Sequence, residues 1–172
     1  MFNLFIYNLN RFISEKAKVR RTPTINYGQS QIAFSANMSS HAQGLGFRQV
    51  VPFNTVRLNA GNAFDPITHV FICPVDGVYV FQSALMAFHQ DMAQTSIVLD
   101  GTETANIYAA GANSGHGYDQ GFNSLVTLCQ RGQHVWVEII NQAAHQVLAT
   151  FTSFSGFLLF EVEAQSSSHI IG

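Results

Sequence analysis

Charge is what this sequence has least of. Only 10% of its 172 residues are Asp, Glu, Lys or Arg, against about 25% in an ordinary soluble domain. So little charge argues that much of the surface is covered, most simply by further copies of the same chain. The scarcity is also uneven. Both lysines, Lys16 and Lys18, lie near the start with Arg11, Arg20 and Arg21, and beyond them stand only Arg48, Arg57 and Arg131 against nine acidic residues. A mildly acidic body without lysine argues against nucleic-acid binding, which needs a basic stripe. No apolar run reaches the roughly 18 residues of a membrane-spanning helix. Cysteine is scarce too: Cys73 and Cys129 stand 56 positions apart, with no CxxC and no Cys/His cluster. That argues against structural zinc. The pair forms either one bridge in an oxidising compartment or two buried thiols, and spacing alone leaves both open.

Catalytic patterns are missing as well. Seven histidines (His41, His69, His89, His116, His134, His145 and His169) show no HxH or HxxxH pairing. The stretch "GANSG" (111–115) puts Ser114 one position away from a GxSxG elbow. An enzyme is therefore not expected, and surface or subunit contacts account for most of the histidines. Titration near neutrality would give oligomerisation a modest pH response.

Apolar and aromatic residues are abundant. Hydrophobic residues make up 47% of the chain, and 15 of them are Phe. The length supports one domain with a full hydrophobic core. Residues 1–30 differ from the rest. Phe2, Phe5, Leu9 and Phe12, with Ile6 and Ile13, form an amphipathic helical stripe. Three readings remain open: packing on the body or on its copies, the end of a longer stalk, or a signal sequence weakened by Asn3, Asn8, Asn10 and Arg11. Lys18–Arg21 reads as a solvated linker or as a dibasic processing site. Residues 31–163 form the globular domain and 164–172 a tail.

From residue 31 the pattern is all-β. Strands are expected near 31–39, 53–59, 69–73, 77–89, 94–100, 104–110, 120–129, 133–141 and 151–163, separated by turn signals such as Asp76-Gly77, Asp100-Gly101 and Arg131-Gly132. Such a series points to a β-sandwich or jelly roll. Burial patterns differ among the strands. In "HVWVEIIN" (134–141) Val135, Val137 and Ile139 form one face, opposite a partly polar one. In "FTSFSGFLLFEVE" (151–163) Phe154, Leu158, Phe160 and Val162 share one face, and Phe151, Phe157 and Leu159 the other. Likewise "FICPVDGVYVF" (71–81) is apolar on both sides. A two-sheet sandwich covers only one face of each strand, so the second face calls for a subunit partner.

A longer spacing then emerges. Phe53, Asn59, Phe64, Phe71, Gly77, Tyr79 and Phe81 follow one another at fixed intervals, and this series resembles the signature of the complement C1q globular-head family, related in fold to tumour necrosis factor. Only Ser83 departs, where the pattern expects an aromatic. "QIAFSA" (31–36), "RGQHVWVEI" (131–139) and "FSGFLLF" (154–160) resemble the family's first, Gly–polar–Val–Trp and final strands. The resemblance implies an all-β, ten-stranded jelly-roll β-sandwich that associates as a homotrimer, is secreted and extracellular, and serves recognition. With no Gly-x-y stalk, it resembles the stalkless invertebrate members, innate-immune lectins that bind microbial or cell-surface glycans, lipopolysaccharide or other lipids. The alternative is an extracellular signalling or matrix module with a protein receptor. The implied strand order sets the strand of Cys73 beside that of Cys129 in one sheet, which makes a cross-strand disulfide feasible.

Some relatives hold calcium through loop aspartates near the trimer apex, and "GYDQG" (117–121) makes Asp119 the matching position. On physical grounds the Gly-rich loop 109–120 is the leading ligand candidate. His116, Tyr118, Asp119 and Gln120 supply hydrogen-bonding groups and an aromatic face for a sugar ring. Loop 141–146 offers Asn141, Gln142 and His145 in the same way. Both stretches read equally as ordinary connections. Arg48 and Arg57 are cations suited to an anionic ligand.

Overall fold

Over Gly77–Ala87 burial alternates along the whole strand without a break, with Tyr79 and Phe81 turned inward and Val78 and Val80 outward. This strand is the spine of a computed structural model that describes residues 30–88, 92–111, 117–141, 145–147 and 149–162. The N-terminal stripe, His116, Gln142 and the tail lie outside the described residues. In chain order the strands are β1 (Ala33–Asn37), β2 (Ala42–Leu45), β3 (Thr55–Ala60), β4 (Phe64–Asp65), β5 (Val70–Ile72), β6 (Gly77–Ala87), β7 (Met92–Leu99), β8 (Thr102–Ala110), β9 (Asp119–Cys129), β10 (His134–Ile139), β11 (His145–Val147) and β12 (Ser153–Glu161). A single 3-10 turn, Ala149–Phe151, sits between the last two.

Two antiparallel sheets result. In the first, β9 pairs with one full edge of β6, while β12 and β11 share the other edge end to end. Next come β1 against β12 and β2 against β11, and then β3 against β1. The second sheet runs β4-β5-β10-β7-β8. Because β11/β12 and β1/β2 each form one row, both sheets are five rows wide, and the fold is the ten-row jelly roll that the resemblance implies. Strands β2, β4 and β11 fall where no strand was expected. They are two to four residues long, too short for a period to show. The expected loop 141–146 is corrected in part: His145 already belongs to β11.

Phe34 joins the sheets. Its ring stacks on Phe64 and Phe71 of the second sheet at 4.8 and 4.9 Å, and meets Phe154 of its own sheet edge-on at 4.8 Å. Phe53, Tyr79 and Phe81 complete this fully buried cluster. Asn59 shapes the turn into β4: its side-chain amide donates to the Phe64 carbonyl (2.8 Å) and its side-chain oxygen accepts the Phe64 N–H (3.1 Å), acting as a piece of strand. Asp65 organises the next turn. The Ile67 N–H, then the Thr68 hydroxyl, hold its carboxyl below the usual carboxylate range. At the β7–β8 hairpin, Asp100 and Gly101 both have positive φ (46° and 83°), the two-residue turn that matches strand twist.

Two expectations need correction. The Cys73–Cys129 disulfide is present, with Cα atoms 6.3 Å apart, but it crosses the sandwich instead of linking neighbours in one sheet. Cys73 follows β5 in the second sheet and pairs with the 130–133 turn, whereas Cys129 ends β9 in the first. The chain changes sheet at both points, which brings the two thiols together. Second, Phe160 does not share the Phe154 face. A bulge after Leu158 sets Phe160 opposite Val78 on the outer side, as an inserted residue inverts all that follow.

On the outside of the second sheet, Glu138 is almost fully buried. Trp136 donates its indole N–H to one carboxylate oxygen (2.8 Å), and an Arg48 guanidinium nitrogen stands 3.5 Å from the other. Arg48 has φ 61° and donates its own backbone N–H to the Ile139 carbonyl. Its guanidinium is thus ion-paired with a buried carboxylate, while the side chain stays half exposed.

Candidate recognition site

The sequence-derived ligand residues gather at one end of the sandwich. Asp119 at the start of β9 lies opposite Ala87 at the end of β6, which also faces Val147 of β11. Met92 opposite Ala110 brings the β7–β8 ends to the same place. Tyr118, Asp119, Gln120, Asn141 and the backbone of His145 therefore share this end.

Three of these side chains already have partners. An Asp119 carboxylate oxygen accepts the Ala110 N–H at 2.8 Å, clasping the two ends of the intervening loop. Gln120 donates its side-chain amide to the Phe151 carbonyl at 2.8 Å. The Asn141 side-chain oxygen accepts the Gln94 N–H at 3.4 Å. Gln94 in turn lines a cavity of about 290 Å³ with Asn106, Tyr108 and Ile140. What this end presents to solvent is aromatic: Tyr118 is exposed and packs edge-on against Phe88 at 5.9 Å. Phe88 escaped the sequence reading because it looked like one more residue of a buried strand.

Calcium demands six to eight oxygens. Asp119 offers one carboxylate, one oxygen of which is engaged, and among the described residues no group of three or more His, Cys, Asp or Glu side chains gathers. One carboxylate alone falls short of that demand. Protein stripped with EDTA and protein in millimolar calcium are expected to melt at the same temperature. A rise of several degrees with calcium, abolished by Asp119→Asn, would contradict this.

The second feature is the outer face of the first sheet. Leu128, Val78 and Phe160 form one cross-strand row over β9, β6 and β12, and Val126, Val80 and Phe157 the next. Val126 and Phe122 are 62% and 61% exposed. This is a contiguous apolar face on a sandwich whose inner faces already enclose a complete core.

The C1q domain pattern matches residues 33–159. The chain belongs to the C1q family. Complement C1q tumor necrosis factor-related protein 3 of Mus musculus is 33% identical over 135 residues, covering 77% of this chain and 53% of that relative. The chain thus spans about half the length of that relative. Among solved structures, the globular domain of zebrafish complement 1qA protein superposes with TM-score 0.63 at 22% identity, covering 76% of this chain and 99% of the other. Eiger TNF from S. frugiperda gives 0.64 at 9% identity, covering 82% and 100%. At these identities the structural likeness speaks for the fold alone.

The C1q spacing has a direct physical content here. Phe53, Phe64, Phe71, Tyr79 and Phe81 are the core rings, and Asn59 is the side chain that turns β3 into β4. Gly77 leaves room that a Cβ would fill 2.8 Å from the Phe160 carbonyl. At the departing position, Ser83 is buried and donates to the Ser153 carbonyl at 3.0 Å. Among the described residues of this C1q chain, no helix is long and apolar enough to cross a membrane.

Proposed function

We propose that this C1q chain is a secreted, non-enzymatic recognition protein that works as a homotrimer and binds microbial or cell-surface glycans or lipids at its loop end. The observation that carries this reading is the apolar outer face of β9, β6 and β12. C1q- and TNF-type domains associate as trimers, and three copies packed on these faces would remove the exposed rows from water. The Cys73–Cys129 bridge supports an oxidising compartment. Tyr118 and Phe88 offer a ring-stacking platform, and three linked copies turn a weak single-site affinity into useful avidity.

Sedimentation of the full chain is expected to give a trimer at micromolar concentration. Val126→Glu is expected to give a folded monomer, because the residue is exposed in one subunit but would bury an unpaired charge in the assembly. The intact trimer on a glycan array should bind a defined set of sugars, and Val126→Glu should lose most of that signal. A stable wild-type monomer, or a trimer blind to every sugar and microbial surface, would sink the proposal. Similarity to a tumor necrosis factor-related relative favours a second reading, a signalling or matrix module. That reading predicts one dominant protein partner in pull-downs and a blank array.

A further inference from the structure

At the β1–β3 margin of the first sheet lies a cavity of about 460 Å³, lined by Asn37, Met38, Ser39, Thr55, Arg57, Ala149 and Thr150. Its chemistry is one-sided. Its lining residues carry one guanidinium, three hydroxyls and an amide, and no carboxylate. In a body with three arginines and nine acidic residues beyond position 21, that arrangement stands out.

Arg57 reaches the cavity through a backbone irregularity. Ala36 pairs with Val56 and Ser35 with Leu58, so Arg57 is the extra residue of a bulge. Bulges re-aim side chains that regular pairing would send elsewhere. Arg57 is exposed, and no ion pair or hydrogen bond engages its guanidinium among the described residues. Arg48, by contrast, is held by Glu138. The cavity walls are fixed independently of any ligand. Asn37 donates its side-chain amide to the Thr152 carbonyl at 3.2 Å, and the Ser39 N–H donates to the Asn54 side-chain oxygen at 2.8 Å. The Ala149 N–H donates to His41 Nδ1 at 3.0 Å, which holds the Ala149–Thr150 wall.

We infer that this cavity at the β1–β3 margin is a second binding site, for a saccharide bearing an oxyanion, a sulfate ester or a carboxylate. The Arg57 fork pairs with two oxygens of the anion. The Ser39, Thr55 and Thr150 hydroxyls serve the sugar's own hydroxyls, each able to donate and accept.

Calorimetric titration of the full chain with glucose 6-sulfate, glucuronate, neutral glucose and inorganic sulfate tests this. Glucose 6-sulfate and glucuronate are expected to bind at millimolar or better affinity, more weakly in high salt, while glucose alone shows no heat. Arg57→Ala is expected to weaken the two anionic sugars at least about tenfold, and Arg57→Lys to recover part of that loss. Absence of binding to wild type, or equal binding by wild type and Arg57→Ala, would overturn the site. Inorganic sulfate binding as tightly as glucose 6-sulfate would overturn its saccharide specificity. Sedimentation of Arg57→Ala in parallel separates this outcome from the assembly proposal: a lost site in an intact trimer leaves that proposal standing.

Discussion

Replacing both cysteines, as Cys73→Ala/Cys129→Ala, is expected to lower the unfolding free energy by about 4 kcal/mol. The bridge closes a loop of 56 residues, and the chain-entropy cost that a cross-link removes from folding grows with the logarithm of loop length, to about 4 kcal/mol at this size. Its position adds weight. The two sheets exchange no backbone ladder, so the bridge ties two layers that packing alone would have to hold. Alanine is the appropriate replacement, because a serine at these buried positions would add the separate cost of an unpaired hydroxyl. Urea unfolding at fixed protein concentration provides the measurement, since self-association would otherwise contribute to the midpoint. Reduction of the wild type with dithiothreitol should move the midpoint by a similar amount. A loss below about 1 kcal/mol in both experiments would show that packing already holds the layers together.

The second large effect is expected at Phe34. Phe34→Ala should cost about 3–5 kcal/mol, the range for emptying a buried aromatic site. Phe34 sits at 4.8–4.9 Å from three rings drawn from both sheets, so its removal leaves a void bordered by side chains anchored in different layers. Neither layer can collapse into that void without dragging a strand. Phe34→Leu, which keeps most of the volume, should cost much less. Equal midpoints for Phe34→Ala and wild type would mean that the site relaxes fully.

The core was legible in the sequence for a physical reason. A strand buried on its inner face must repeat its apolar residues with period two, and Val135–Val137–Ile139 do so, whereas 78–81 is apolar on both faces and its inward rings, Tyr79 and Phe81, stood out only through the signature spacing. The signature spacing around Asn59 was readable because a single side chain must reach a backbone at a fixed distance. Features that depend on register were not readable. The bulge that inverts Phe160, the one that releases Arg57 toward its cavity, and the two-residue strand at Phe64 follow from pairing between distant segments, which no local period records. The candidate site was half legible. Tyr118, Asp119, Gln120 and Asn141 do meet at one end, but sequence could not reveal that Asp119 is occupied by Ala110 and Gln120 by Phe151. Nor could it separate exposed Phe88 from the buried residues before it. A Cys73–Cys129 bridge was legible only as feasible, and its sheets were misplaced, because the chain crosses between layers at both Cys73 and Cys129.

The sole tryptophan of the chain lies outside the aromatic core. Its indole N–H rests on the Glu138 carboxylate, with Arg48 on the far side. Light emitted by Trp136 therefore reports on whether the strained segment at Arg48 is seated, and the ultraviolet dichroism of the Phe and Tyr rings reports on whether the sandwich is closed. The molecule carries two built-in optical gauges, one for its rim and one for its centre. Where the two signals part on heating, the segment at Arg48 lets go before the layers do.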